Sequence, residues 1–164
     1  FNLLKGNNPE FLVEGSDSFI DTNFNQKTLK IVTDNNYEIK LDNYYKDQAF
    51  TIIKADPLEY FKLYLLKVFS FIFLDLNSSY PGYYNILNIL PKIIFAITTL
   101  AGAFLALKKK GFFQYLSIYY FLNIALFSAF FILPRYSLIL LPVQLLLSIK
   151  FFQFIYQKIV ESTR

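Results

Sequence analysis

Arg135 is the residue whose surroundings most clearly suggest chemistry. It stands in the stretch FFILPRYSLILLPVQLLL, residues 130–147, between two long apolar runs, and the only other arginine is Arg164 at the end of the chain. A guanidinium group presents a planar set of donors that can pair with two phosphate oxygens at once. A site for a lipid phosphate is therefore one interpretation of Arg135 and its neighbour Tyr136. An ordinary loop charge and an anchor at the membrane interface are the other two.

Two lysines beside apolar runs are further candidates for contact with a phosphate. Lys92 lies near the beginning of an apolar stretch, and Lys67 lies on an amphipathic one. The ordinary account of both is that a long side chain reaches back to the headgroup layer. Arg135, Tyr136, Lys67 and Lys92 together form our set of candidate substrate-binding residues.

The stretch LKGNNPEFLVEGSDSF, residues 4–19, combines a turn signal with acidic residues. Its segment GNNP predicts a tight turn. Glu14, Asp17 and Asp21 lie loosely around Gly15. On spacing alone, a solvated loop is favoured over a metal or substrate site. We therefore predict neither a metal site nor a cofactor, and the sequence leaves the metal dependence of any reaction open.

Composition excludes several kinds of chemistry and indicates a membrane protein. The chain has no cysteine and no histidine, which excludes disulfides, thiolate nucleophiles, imidazole bases and the usual zinc ligands. It is 55% hydrophobic and 20% aromatic, too apolar for an ordinary soluble domain. Its net charge is +4, but most of the basic residues border apolar runs, as in membrane proteins. We therefore predict no nucleic-acid partner.

Since the chain begins with Phe1 and contains no methionine, we expect it to be the C-terminal part of a longer protein.

Three apolar stretches predict three transmembrane helices. Each has 22 residues, close to the number needed to cross about 30 Å of hydrocarbon, and they cover residues 86–107, 112–133 and 136–157. Lysines 108–110 fill the short connection between the first two, which predicts that this connection is cytoplasmic. Residues 1–85 and Arg135 then lie on the outer side. We expect a multi-pass protein of the bacterial inner membrane.

The residues before the spans predict a small mixed α/β segment outside the membrane, residues 1–56. Alternating apolar residues between Gln26 and Leu41, separated by a turn-prone Asp-Asn-Asn, predict a β-hairpin. A short helix should follow from a cap at Asp42 and end before Pro57.

Residues 57–85 predict an amphipathic helix and a loop at the membrane surface. Asp56 at the cap, Pro57 at the first helical position and Glu59 three residues after the cap match a capping box. Lys67 lies off the apolar face that follows. That face consists of Leu58, Phe61, Leu65, Val68 and Ile72.

Several of these stretches together resemble the GT-C superfamily of membrane glycosyltransferases, in particular the bacterial branch similar to protein mannosyltransferases and lipid A aminoarabinose transferases. KGNNP, residues 5–9, resembles the asparagine-rich turn that begins a segment outside the membrane in these proteins. YYKDQAFTIIKADPLEYFKLYLLKVFSF, residues 44–71, is similar to their two helices joined at a proline turn, the second of which bears a lysine, here Lys67. PRYSLILLP, residues 134–142, resembles the opening of a late span.

The resemblance implies transfer of a sugar from a polyprenyl-phosphate donor to an acceptor at the outer face, with inversion of the anomeric centre. The acceptor, whether a lipid, a glycan or a protein, stays open. In the family an aspartate of the first external loop is the usual candidate base. We expect that loop upstream of Phe1, and so expect no catalytic residue in this chain. Arg135 matches a position near the phosphate leaving group, although Pro134 stands where an acidic residue often precedes that arginine.

Two other functions stay open beside the transferase. One is a different enzyme that uses polyprenyl lipids, such as a glycan polymerase or ligase. The other is a membrane transport or structural subunit without catalytic activity.

Overall fold

The computed structural model describes residues 1–24, 31, 35–78, 81–108, 110–130 and 138–162. The described residues form helices and connections, without a strand among them. The helices are α1 Asn2–Gly6, α2 Asp17–Asn23, α3 Tyr37–Ala55, α4 Pro57–Ile72, α5 Ile86–Leu107, α6 Phe112–Ser128 and α7 Leu141–Ser162.

The chain forms two compact units. The first consists of Phe1–Ser70, Asp75–Ser78 and Leu126–Leu133. The second consists of Phe71–Leu74, Ser79–Ala125 and Pro134–Arg164.

The predicted β-hairpin is wrong in its second strand, because Tyr37, Ile39 and Leu41 lie in the first turns of α3. Tyr37 and Leu41 alternate as strand residues would, but they are also four residues apart. Tyr45 and Ala49 then continue the same helical face into the core. Ile39 is 63% exposed, as expected for a residue on the opposite face of a helix. Most of the first predicted strand lies outside the described residues.

The helix predicted from Asp42 is therefore longer than expected, and Asp42 lies inside α3 instead of capping it. The buried face of α3 packs with α1 and α2 to form the core of the first unit. The buried core residues are Leu4, Ile20, Phe24, Tyr45 and Ala49. Phe19 and Phe24 meet edge to face within this core, with ring centres 5.4 Å apart.

The predicted beginning of α4 is confirmed. The backbone N–H of Glu59 donates to the Asp56 carboxylate at 3.2 Å, and Pro57 is the first helical residue. This contact satisfies one of the amide donors that a helix leaves unpaired at its start. The Glu59 carboxylate itself pairs with Lys62 at 2.5 Å.

In the second unit, two helices are long and apolar enough to cross a membrane. The bounds of α5 coincide with the first predicted span. The other helix is α7 together with the single 3-10 turn that precedes it, Leu138–Ser162. In their most apolar 18-residue stretches only 33% and 22% of the residues are buried, so most of this surface is not covered by protein. That exposure favours contact with lipid over the buried position of a core helix in a soluble protein.

α6 is apolar but has 17 residues, at the lower limit for a span. Of the remainder of the predicted second span, Ala129 and Phe130 lie in a turn and a bend after the helix, and residues 131–133 lie outside the described residues. Crossing of the membrane by α6 stays a prediction.

α5 and α7 approach closely through small and hydroxyl-bearing residues. A Cβ atom added at Gly102 would lie 1.8 Å from the backbone oxygen of Leu147, so only glycine permits this approach. The hydroxyl groups of Thr98 and Thr99 are hydrogen-bonded to the Ser148 hydroxyl at 3.1 and 3.0 Å. Such contacts are typical of helix pairs in membranes, where small residues permit close packing.

Candidate functional site

The second unit contains a crevice of about 1020 Å³ between α5 and α7. Its walls are mainly apolar, with a few polar side chains among them. The apolar lining includes Ile89, Phe95, Leu141, Leu145 and Phe152. The polar lining includes Tyr83, Asn88, Lys92, Thr98 and Gln144. Its volume is at the upper end of the range of about 300–1,000 Å³ that small-molecule pockets span.

The helices that form the crevice run in the same direction. Thr99 contacts the backbone oxygen of Gln144, and the later residue Gly102 faces the later residues Leu147 and Phe151. The N-terminal ends of α5 and α7 therefore point the same way, and the pairing of Thr99 with Gln144 sets the first residue of α7 level with Ala96, about 15 Å along α5 from its start. Each helix end contributes a partial positive charge, equivalent to about half an elementary charge.

Lys92 adds a full positive charge in the N-terminal part of the crevice. It lies six residues after the first residue of α5, which corresponds to about 9 Å along the helix axis. Its Nζ lies 5.6 Å from the centre of the Tyr83 ring, a cation–π distance. The crevice thus combines apolar walls with a positive end, which suits an amphiphile with an anionic head.

The first unit contains the second charged candidate, Lys67, in an unexpected place. Its side chain is fully buried, and its Nζ donates to the Asn7 Oδ1 at 3.2 Å. Burial lowers the pKa of the Lys67 ammonium to about 7, because the protein interior solvates the charge less well than water does. The ordinary account, in which the side chain reaches back to the headgroups, is therefore wrong for Lys67.

Asn7 joins three segments of the first unit. Its Nδ2 donates to the Leu3 backbone oxygen at 2.8 Å and to the Ala129 backbone oxygen at 3.2 Å, while its Oδ1 accepts from Lys67. The neighbouring Asn8 is also buried and closes the turn, since its Oδ1 accepts from the Leu12 N–H at 3.1 Å. The turn lies about two residues later than predicted, because Gly6 ends α1 and the Phe11 N–H donates to the Asn8 backbone oxygen at 3.2 Å, and the two asparagines are buried structural side chains.

The structure describes two of the four candidate substrate-binding residues, and it places them in different units. Lys67 belongs to the first unit and Lys92 to the second. Arg135 and Tyr136 lie outside the described residues. Of these two described residues, Lys92 lines the crevice.

The acidic residues near Gly15 do not form a metal site in the part of the chain that the structure describes. Asp17 pairs with the Lys5 ammonium at 2.6 Å, and Glu14 accepts a hydrogen bond from the Ser78 hydroxyl. These carboxylates therefore have structural partners.

Sequence reasoning missed the crevice and the close approach behind it. The signal was present as small residues at spacings of three and four, Ala96, Thr99, Gly102, Ala103 and Ala106, all of which are buried. That pattern indicates which face of α5 is packed. It does not identify α7 as the partner.

The chain matches no protein-family model, no curated protein and no solved structure. Its function must therefore be argued from the crevice and from the sequence.

Proposed function

We propose that this protein is a membrane glycosyltransferase that uses a polyprenyl-phosphate sugar, and that the crevice between α5 and α7 holds the donor lipid. The observation that carries the proposal is the apolar crevice with Lys92 in its N-terminal part. Apolar walls suit the prenyl chain. They offer few partners for sugar hydroxyl groups, which must therefore lie outside the crevice.

The phosphate of the donor fits the positive end of the crevice. The Lys92 ammonium would supply a charge-assisted hydrogen bond, and the beginning of α7, about 6 Å along the axis from the level of Lys92, adds partial positive charge. In the sequence, Arg135 stands three residues before Leu138, which lines the crevice. We propose that Arg135 adds a two-pronged contact to the phosphate and that Tyr136 accompanies it.

These groups would stabilise the leaving phosphate. In the proposed reaction, an acceptor hydroxyl attacks the anomeric carbon from the face opposite the phosphate and inverts that centre. The bond between this carbon and the phosphate oxygen breaks, and its electron pair stays on the phosphate. A carboxylate takes the proton of the hydroxyl, and the resemblance assigns this role to an aspartate of an external loop. Positive charge held beside the phosphate favours the transition state, in which negative charge develops there.

The lysine cluster at residues 108–110 supports the placement of this chemistry at the outer face. It stands at the C-terminal end of α5, so a cytoplasmic cluster puts the beginning of α5 on the outer side. Sugar nucleotides are not present on that side, which favours a lipid-linked donor.

Photo-crosslinking with a diazirine-bearing polyprenyl phosphate tests the donor site. The complete gene product is reconstituted in vesicles, and crosslinked peptides are mapped for wild type and for Lys92→Gln. We expect crosslinks to α5 and α7 in wild type and an apparent affinity about tenfold lower in Lys92→Gln, as for loss of a charged hydrogen bond. Lys158→Gln is the matched control, because Lys158 is an exposed lysine of α7 that pairs with Glu161. Crosslinks confined to other segments would overturn the donor site.

A transfer assay with a polyprenyl-phosphate sugar tests the reaction itself. Transfer to an added acceptor fraction supports the transferase. Donor binding without transfer, combined with movement of the lipid between leaflets, would instead favour a transport subunit. Chain extension of a lipid-linked glycan would favour a polymerase.

A further inference from the structure

α4 is oriented so that its more polar side faces the protein and its apolar side faces outward. Tyr60, Leu63, Lys67 and Ser70 are buried along one stripe. The opposite stripe consists of Leu58, Phe61, Leu65, Leu66 and Phe69, whose side chains are 42–64% exposed. We call these five residues the apolar face of α4.

Contacts on the buried stripe fix this orientation. The Lys67 ammonium is hydrogen-bonded to Asn7, and the Tyr60 ring lies 5.7 Å from the Phe11 ring. Turning the apolar face inward would break both contacts and expose the buried amine. The exposed apolar face is therefore a feature of the folded unit and not of an isolated helix.

We propose that the apolar face of α4 docks onto the membrane surface by hydrophobic insertion and does not require anionic lipid headgroups. With 16 residues, α4 is about 24 Å long, too short to cross about 30 Å of hydrocarbon. Its last residue, Ile72, and the following Leu74 line the same crevice as Asn88 and Leu138 of the long apolar helices. The chain itself thus brings the end of α4 to the segments that are suited to a bilayer.

The charges of α4 explain why a neutral bilayer should suffice. Exposed helices that bind anionic membranes carry many lysines on their polar side. On α4, Glu59 and Lys62 neutralise each other at 2.5 Å, and the remaining lysine, Lys67, is buried. Hydrophobic contact is therefore the interaction available to this helix. This proposal goes beyond the transferase reaction and does not depend on it.

Spin labels can test the placement, because the chain has no cysteine and single cysteines need no prior substitutions. Labels are placed at Phe61, Leu65 and Phe69 of the complete gene product, reconstituted in vesicles of phosphatidylcholine alone and with added phosphatidylglycerol. Accessibility to oxygen and to a water-soluble nickel complex then gives the depth of each label. Ile39 is the matched control, because it is a comparably exposed apolar residue on the more polar helix α3.

We expect the three α4 labels about 5–10 Å below the headgroup level in both lipid mixtures, and the Ile39 label in water. Four results would overturn the proposal. They are labels on α4 in water, labels near the bilayer centre, labels shielded from both reagents as under a second protein copy, and insertion that appears only with phosphatidylglycerol. Because every labelled position is exposed, the substitutions leave the core intact.

Discussion

Stability should rise with pH because of the buried Lys67. In the unfolded chain its ammonium keeps its proton up to about the ordinary pKa of 10.5, whereas in the folded protein burial lowers the pKa to about 7. Between these values the unfolded chain binds one more proton than the folded protein, so raising the pH favours folding. Below about pH 7, Lys67 is protonated in both the folded and the unfolded state. Its contribution to the free energy of unfolding is then at its lowest value and no longer changes with pH.

The size of this pH dependence follows from the difference between the pKa values of Lys67 in the unfolded and the folded state. Each unit of pKa difference corresponds to about 1.4 kcal/mol, so the free energy of unfolding should rise by about 2 kcal/mol between pH 7 and pH 9. Burial raises the pKa values of Tyr44 and Tyr60 above the ordinary 10.0, so neither titrates in this window. Replacing Lys67 by methionine removes the titration. It also leaves the Asn7 oxygen without this donor, at a cost of about 1–3 kcal/mol that does not vary with pH.

Urea unfolding in detergent measures this prediction, with a fluorophore on a cysteine introduced at the exposed position Ile39 to report on the first unit. The difference in unfolding free energy between Lys67→Met and wild type should change by about 2 kcal/mol in favour of wild type from pH 7 to pH 9. Lys62→Met is the control, since this lysine is 57% exposed and should leave the slope unchanged. If wild type and Lys67→Met respond to pH in parallel, the buried lysine is not the cause and the reasoning is refuted.

Four further predictions concern packing, capping, topology and the donor phosphate. Gly102→Ala should destabilise the protein by about 1–3 kcal/mol, because the added Cβ meets a backbone oxygen of α7; an unchanged thermal midpoint would contradict the close approach. Asp56→Ala should cost about 0.5–2 kcal/mol and speed hydrogen exchange in the first turn of α4, whereas Asp56→Ser should retain most of the stability; equal exchange in both variants would contradict the cap. A cysteine at Asn77 should react with an impermeant thiol reagent in intact cells, and one at Ser162 only after permeabilisation; reaction of both from outside would mean that α6 does not cross the membrane, and reaction at Ser162 alone would mean that the orientation is reversed. Arg135→Ala should lower sugar transfer on the order of a hundredfold and Arg135→Lys by less, measured per amount of folded protein; wild-type transfer in the alanine variant would leave Arg135 as an anchor.

Features set by neighbouring residues could be predicted from the sequence. The bounds of α5 follow from an unbroken apolar run that ends at lysines, and the beginning of α4 follows from Asp56 and Pro57. Both depend on the chain within a few residues of the feature, where hydropathy and capping act directly. Lys92 could be singled out for the same reason, as a charge within an apolar run.

The short apolar pattern at the beginning of α3 did not decide between a strand and a helix. Tyr37 and Leu41 fit both a strand and one face of a helix, and the choice depends on what covers that face. In the folded protein, Leu41 packs against the buried cluster that Tyr45 and Ala49 form with residues of α1 and α2. Packing against other elements therefore decided the secondary structure.

The candidate site depended on contacts between distant parts of the sequence. Lys67 reads as an ordinary lysine on an amphipathic helix until the fold brings Asn7, 60 residues away, to its ammonium. The Lys67 side chain is buried there, burial lowers its pKa, and the apolar face of α4 lies on the exposed side. The close approach of α7 to α5 likewise depends on Gly102, whose added Cβ would meet the backbone oxygen of Leu147, 45 residues away. Composition alone indicates an apolar chain with few charges, because hydropathy belongs to each residue separately. Burial and partners depend on the whole fold, so only the tertiary structure decided which of those charges are buried, paired or placed beside a cavity.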